Sequence, residues 1–121
     1  MHKEYKPNGK SVHADFWGID PELLDDLPFL KALCKLAIKK CGATLVREPQ
    51  YKKFEPSGVT VLCMLEESHL SIHTYPFYGF AAIDIFTCGL HTNPDKAIEF
   101  IANILQPTEV NKQEFLRGIW Q

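Results

Sequence analysis

Between Glu66 and Gly89 the chain reads EESHLSIHTYPFYGFAAIDIFTCG, which gathers a hydroxyl, two imidazoles and a thiol at spacings that one hairpin can bring together. Pro76-Phe77-Tyr78-Gly79 has the composition of a turn. A hairpin centred there pairs residues whose numbers sum to about 155 or 156, so Cys88 returns opposite Glu67 and Ser68. A serine hydroxyl beside an ionisable thiol, with His69 and His73 near, is equipped for nucleophilic chemistry on a carbonyl. Ser68 and His73 are an odd number of positions apart, so on one straight strand they face opposite sides of the sheet. They meet only if the chain bends at Ser68 or rearranges. Two other chemistries can be written from the same residues. His69 and His73 could both ligate a metal from one strand face, but no third ligand stands at a telling spacing. A Ser68, His73, Asp84 triad lacks the G-x-S-x-G elbow and its strand-to-helix context. Taken singly, Ser68 reads as a turn serine and Cys88 as a small buried hydrophobe.

It is the ordered combination of Glu67-Ser68-His69, Ile72-His73-Thr74, Pro76-x-x-Gly79 and Phe86-Thr87-Cys88-Gly89 that carries more. This segment closely resembles the self-processing segment of the prokaryotic S-adenosylmethionine decarboxylases, which use a pyruvoyl group made from an internal serine. The resemblance implies that Ser68 attacks the carbonyl of Glu67 and that His73 acts as the processing base. The chain would then divide into residues 1–67 and 68–121, with the covalent pyruvoyl cofactor at residue 68. A substrate amine condenses with that ketone, which takes up the electrons released as carbon dioxide leaves. Cys88 matches the residue that returns a proton to the α-carbon, and Thr60, eight residues before Ser68, matches a hydroxyl that assists processing. A homodimer of processed protomers, with sites completed near the interface, is also implied. No metal is expected.

One position departs from the family pattern. The family's histidine is followed by Thr, an aromatic, Pro and Glu, whereas here Thr74, Tyr75 and Pro76 lead to Phe77. That glutamate is understood to hold the ribose hydroxyls of S-adenosylmethionine, and a phenyl ring accepts no hydrogen bond of that kind. Phe54 and Tyr75 match aromatic positions of the substrate pocket. The loss at Phe77 places a smaller cationic amino acid, L-arginine or L-ornithine, ahead of S-adenosylmethionine itself. Both readings belong to polyamine biosynthesis. A catalytically silent regulatory paralogue is the reading from another class, and the joint presence of Ser68, His73 and Cys88 argues against it.

The remaining sequence describes what must position these groups. With 121 residues and 45% apolar composition, the chain is sized for one domain and one core. The net charge of −2 gives no long-range attraction for nucleic acid. No apolar run reaches the ~20 residues of a membrane span and the start MHKEYKPNGK has no signal-peptide core, so a cytoplasmic location is expected. Cys34, Cys41 and Cys63 show no disulfide spacing and read as core thiols. Ser11 to Phe16 reads as a first strand. Asp20 and Pro21 open an amphipathic helix running to Cys41, with Pro28 as a potential kink. Ala43 to Val46 and Tyr51 to Phe54 read as short strands, and Val59 to Leu65 as a central strand covered on both faces. Two strands follow around the Pro76–Gly79 turn. Asn93 and Pro94 then start a second helix with Ile98, Ile101, Ile104 and Leu105 as its stripe, and Thr108 to Trp120 adds an edge strand. The fold class is α+β: a two-layer sandwich in which two helices cover one face of a mainly antiparallel sheet.

Overall fold

A computed structural model describes residues 7–119. Strand β1 (Asn8–Trp17) is followed by helices α1 (Pro21–Leu24) and α2 (Leu27–Lys40), then β2 (Gln50–Lys53), β3 (Val59–Leu65) and β4 (Ser68–Tyr75). A 3-10 turn at Pro76–Tyr78 leads to β5 (Phe80–Cys88), α3 (Pro94–Leu105) and β6 (Glu109–Gly118). Among the described residues the strands form one sheet in the order β2-β3-β4-β5-β1-β6, with every pairing antiparallel. The α+β sandwich is as expected. The tail is an edge strand on β1, and Trp120 lies outside the described residues. No helix among the described residues is long and apolar enough to cross a membrane.

Strand alternation sorts the residues cleanly. Val12, Ala14 and Phe16 of β1, Val59, Val61 and Cys63 of β3, Leu70 and Ile72 of β4, and Ala81, Ile83 and Ile85 of β5 all point into one core. There they meet Leu30, Leu33, Cys34, Ala37 and Ile38 of α2 and Ala97, Ile98, Ile101 and Leu105 of α3. The other face carries no helix among the described residues.

Three expectations are corrected. The first helix is two helices, because Pro28 lacks an N–H and its ring would collide with the Leu24 carbonyl. The chain therefore stops at Leu24 and restarts at Asp26, whose carboxylate accepts from the Phe29 N–H at 3.0 Å. Among the described residues three helices thus stand where two were expected. Ala43 to Val46 makes no strand of its own. It is held beside the end of β3 by one bridge, Leu45 to Leu65, and by the Val46 N–H to the Met64 carbonyl at 2.9 Å. Finally, β3 is covered on one face only. Leu62 and Met64 are 45% and 57% exposed on the helix-free face despite their apolar side chains.

Candidate active site

Glu66 and Glu67 form the two-residue turn between β3 and β4, since Leu65 pairs with Ser68. Ser68 in turn pairs with Thr87, which makes the register sum 155 and delivers Cys88 to Glu67. The Cys88 N–H donates to the Glu67 carbonyl oxygen at 3.2 Å, and the Cys88 thiol donates to the same oxygen at 3.1 Å. Two donors on one carbonyl are what a tetrahedral oxyanion requires.

Ser68 has φ of +156°, a backbone conformation that side-chain-bearing residues rarely adopt. A bend here was one condition for Ser68 to meet His73, yet the two do not meet. The bend turns the Ser68 hydroxyl toward His69, whose Nδ1 stands 3.1 Å from Oγ, and not toward His73. The other three serines of the sequence lack this setting: Ser11 and Ser71 lie within β1 and β4, and Ser57 lies in the loop before β3. Across from Ser68 on β5, the Thr87 hydroxyl is buried with no hydrogen-bond partner among the described residues.

Glu67 was expected as the residue whose carbonyl is attacked, but the burial of its side chain was not. A turn residue between strands is ordinarily solvated, and Glu66 is exposed, yet the Glu67 side chain is only 3% exposed. The Thr44 N–H donates to its Oε1 at 3.0 Å, and His91 Nε2 lies 2.8 Å from its Oε2. Burial pushes the nearby Cys41 thiol up from its ordinary pKa, and the Glu67 charge adds to that, which keeps the thiol neutral. No pattern in the sequence marks His91. Only the β4–β5 register, which sets the loop after Cys88 against Glu67, could have pointed to it.

The other predicted residues cluster elsewhere. Thr60 pairs with His73 across β3 and β4, and its Oγ1 is 2.9 Å from His73 Nδ1. Both line a cavity of about 480 Å³ with Phe54, Glu55, Tyr75 and Phe77. Beneath it, the Thr74 hydroxyl donates to the Leu24 carbonyl at 2.6 Å and accepts from the Val59 N–H at 2.9 Å. Asp25, in the helix break, holds the loop by accepting from the Gly58 N–H at 2.8 Å. Phe77 is 87% exposed and meets Tyr78 edge-on, with ring centroids 5.1 Å apart. Along β4 the five-residue step from Ser68 to His73 amounts to roughly 16 Å. One chain therefore joins Glu67, Ser68, His69 and Cys88 at one end of the sheet and Thr60, His73 and the aromatic residues at the other. It does not bring Ser68 and His73 together.

The S-adenosylmethionine decarboxylase family model matches residues 10–118. The chain belongs to the S-adenosylmethionine decarboxylase family. It is 47% identical over 116 residues to the S-adenosylmethionine decarboxylase proenzyme 2 of Bacillus cereus, covering 96% of this chain and 94% of that one. Against the S-adenosylmethionine decarboxylase proenzyme of Methanococcus vannielii the identity is 44%, covering 94% and 93%. The crystal structure of the adenosylmethionine decarboxylase from Aquifex aeolicus superposes with a TM-score of 0.87 at 34% identity, covering 96% and 95%. As a member of the S-adenosylmethionine decarboxylase family, the chain is a decarboxylase whose cofactor is a pyruvoyl group derived from serine.

Proposed function

We propose that this chain is a proenzyme that cuts itself between Glu67 and Ser68, and that two copies together decarboxylate S-adenosylmethionine. The observation that carries the first part is the Glu67 carbonyl, held by the Cys88 N–H and thiol beside a serine whose hydroxyl reaches an imidazole. Ser68 Oγ bonds to the Glu67 carbonyl carbon while His69 Nδ1 takes its proton. The oxyanion forms where Cys88 already donates. Collapse breaks the C–N bond, the Ser68 nitrogen gains a proton, and an ester links the two residues. A base then removes the Ser68 α-proton, and the Cα–H electrons form a Cα=Cβ bond as the Glu67 carboxylate leaves. Water replaces the nitrogen at residue 68, ammonia departs, and chains 1–67 and 68–121 result. The pyruvoyl group supplies an electron sink for loss of a carboxylate next to an amine. Cys88 Sγ, freed from the Glu67 carbonyl, holds the proton that returns to the substrate α-carbon.

The base for the α-proton is the partner's His73. What supports this is the separation of the two clusters and the helix-free sheet face that carries Leu62 and Met64. A two-fold axis lying between two such faces and crossing the strands over Leu70 and Ser71 reverses the strand direction. It thereby sets the partner's His73 over Ser68, at the ~10 Å spacing of packed sheets. The aromatic cavity of the partner arrives with it. Each site then combines Glu67, Ser68 and Cys88 of one copy with the partner's Thr60, the partner's His73 and the partner's Phe54, Tyr75 and Phe77. Four free thiols suit a reducing cytoplasm.

The names carried by relatives of 41–47% identity support S-adenosylmethionine as substrate. L-arginine or L-ornithine is kept as the second reading on one observation: Phe77 presents a ring, not a carboxylate, to the cavity. The test is carbon dioxide release by the purified protein with each of the three compounds, alongside intact mass measurement. Fragments 1–67 and 68–121 with turnover of S-adenosylmethionine are expected. Turnover of an amino acid alone would replace the substrate, and an uncleaved, inert chain would favour a regulatory role.

A further inference from the structure

We infer that His91 is a positioning residue for self-cleavage, acting through the buried carboxylate of Glu67. The inference rests on the reading that the bond after Glu67 is the one cut. A carboxylate is seldom buried unless it is paired, because losing its hydration is costly. Glu67 sits in a two-residue turn whose other member is exposed, so nothing in the connection itself requires burial. Its burial is offset by the Thr44 N–H at 3.0 Å and His91 at 2.8 Å, which arrive from two different loops. Since an ionised carboxylate only accepts, His91 Nε2 is the donor.

Together with Cys88 on the main-chain carbonyl, these contacts grip Glu67 from two segments, one at Thr44 and one running from Cys88 to His91, each more than 20 residues away in sequence. The acyl carbon to be attacked is therefore fixed, while the attacking residue is held at an unfavourable φ. Fixing the acceptor matters because a misplacement of about 1 Å can cost on the order of 100-fold in rate. His91 is half exposed, and its imidazole contributes little to the core. Its place is explained by what it does to Glu67. The neighbouring Thr92 closes the loop, with its hydroxyl donating to the Cys88 carbonyl at 3.2 Å, so the loop carries a cap for Cys88 and a clamp for Glu67.

The experiment follows conversion of newly made chain into fragments 1–67 and 68–121 by intact mass. It is run at a temperature where circular dichroism shows each variant folded. His91→Ala should slow cleavage by roughly 10- to 100-fold. His91→Gln, whose amide N–H can reach the same oxygen, should recover most of the rate. The double variant Glu67→Ala/His91→Ala should be no slower than Glu67→Ala, because the imidazole acts only through that carboxylate. A folded His91→Ala chain that cleaves at the unaltered rate would overturn the inference, as would multiplicative losses in the double variant. Failure of the unaltered chain to cleave after Glu67 would instead remove the underlying reading, so the two failures are separable.

Discussion

Co-expression of Ser68→Ala with His73→Ala distinguishes a site shared between copies from a site within one chain. Each variant alone lacks an essential group at every site and should remain uncleaved. In mixed dimers the His73→Ala chain contributes Ser68 and Cys88, and the Ser68→Ala chain contributes His73. One complete site results. With random pairing, half the dimers are mixed and one site in two is complete, so about one quarter of all sites, or half of the His73→Ala chains, should be cut. A site within one chain predicts no cleavage at all, because no single chain then holds both groups. The structural reason for expecting the first outcome is the roughly 16 Å between Ser68 and His73 along a strand. That strand is hydrogen-bonded on both sides, to β3 and β5, and cannot fold back. Size tags on the two chains allow the cut chain to be identified by mass. Absence of fragments, with mixed dimers verified by pull-down through one tag, would refute the shared site. Cleavage of His73→Ala alone would remove His73 as the base.

Cys88→Ala keeps the backbone N–H on the Glu67 carbonyl but loses the thiol donor, so cleavage should slow by roughly tenfold while turnover after cleavage falls further. Rapid-quench mass analysis for the first and carbon dioxide release for the second would check this, and clean, full turnover would take Cys88 off the site. Leu62→Asp puts a charge on the helix-free face without touching the core, and it should yield folded monomers that do not process. Sedimentation and circular dichroism report both properties, and a processed dimer would mean that another surface is used. Asp25 has a pKa below the ordinary 3.8, caused first by its bond to Lys53 and then by the Gly58 N–H. A depressed carboxylate stabilises the fold above its unfolded pKa, and that contribution is lost as pH falls through the lower folded value. Acid unfolding below pH ~3.8 should therefore become less steep in Asp25→Asn, and an unchanged profile would exclude the effect.

The sequence made the chemistry more legible than the site's assembly. Helix caps at Asp20 and Asn93 are read from single residues and their neighbours, and the β4–β5 register follows from the turn at Pro76–Gly79. These are local rules. Parity already showed that Ser68 and His73 oppose each other, and the structure answers with a bend at Ser68 that serves His69. Burial of Glu67 was not legible, because it depends on two loops, at Thr44 and His91, that no periodicity marks. Nor was the open face of β3: Leu62 and Met64 read as buried because apolar side chains usually are, and the apolar residues of a face that meets a second copy, as proposed for this one, are of the same types as those of a core.

Phe77 is where the substrate question becomes a measurement. Within the cavity it occupies an exposed turn position, so a carboxylate can be placed there without disturbing the fold. If the chain decarboxylates S-adenosylmethionine as it stands, another acceptor already meets the ribose, and Glu55 is the carboxylate lining that cavity. Phe77→Glu should then change kcat/KM for S-adenosylmethionine by no more than about threefold, since a hydroxyl already satisfied gains little from a second acceptor. If instead the ribose lacks a partner, a charge-assisted bond of about 1.5–3 kcal/mol should raise kcat/KM roughly 10- to 100-fold. A gain of that size would show that the cavity is not built for a nucleoside, and the cationic amino acids would become the substrates to pursue.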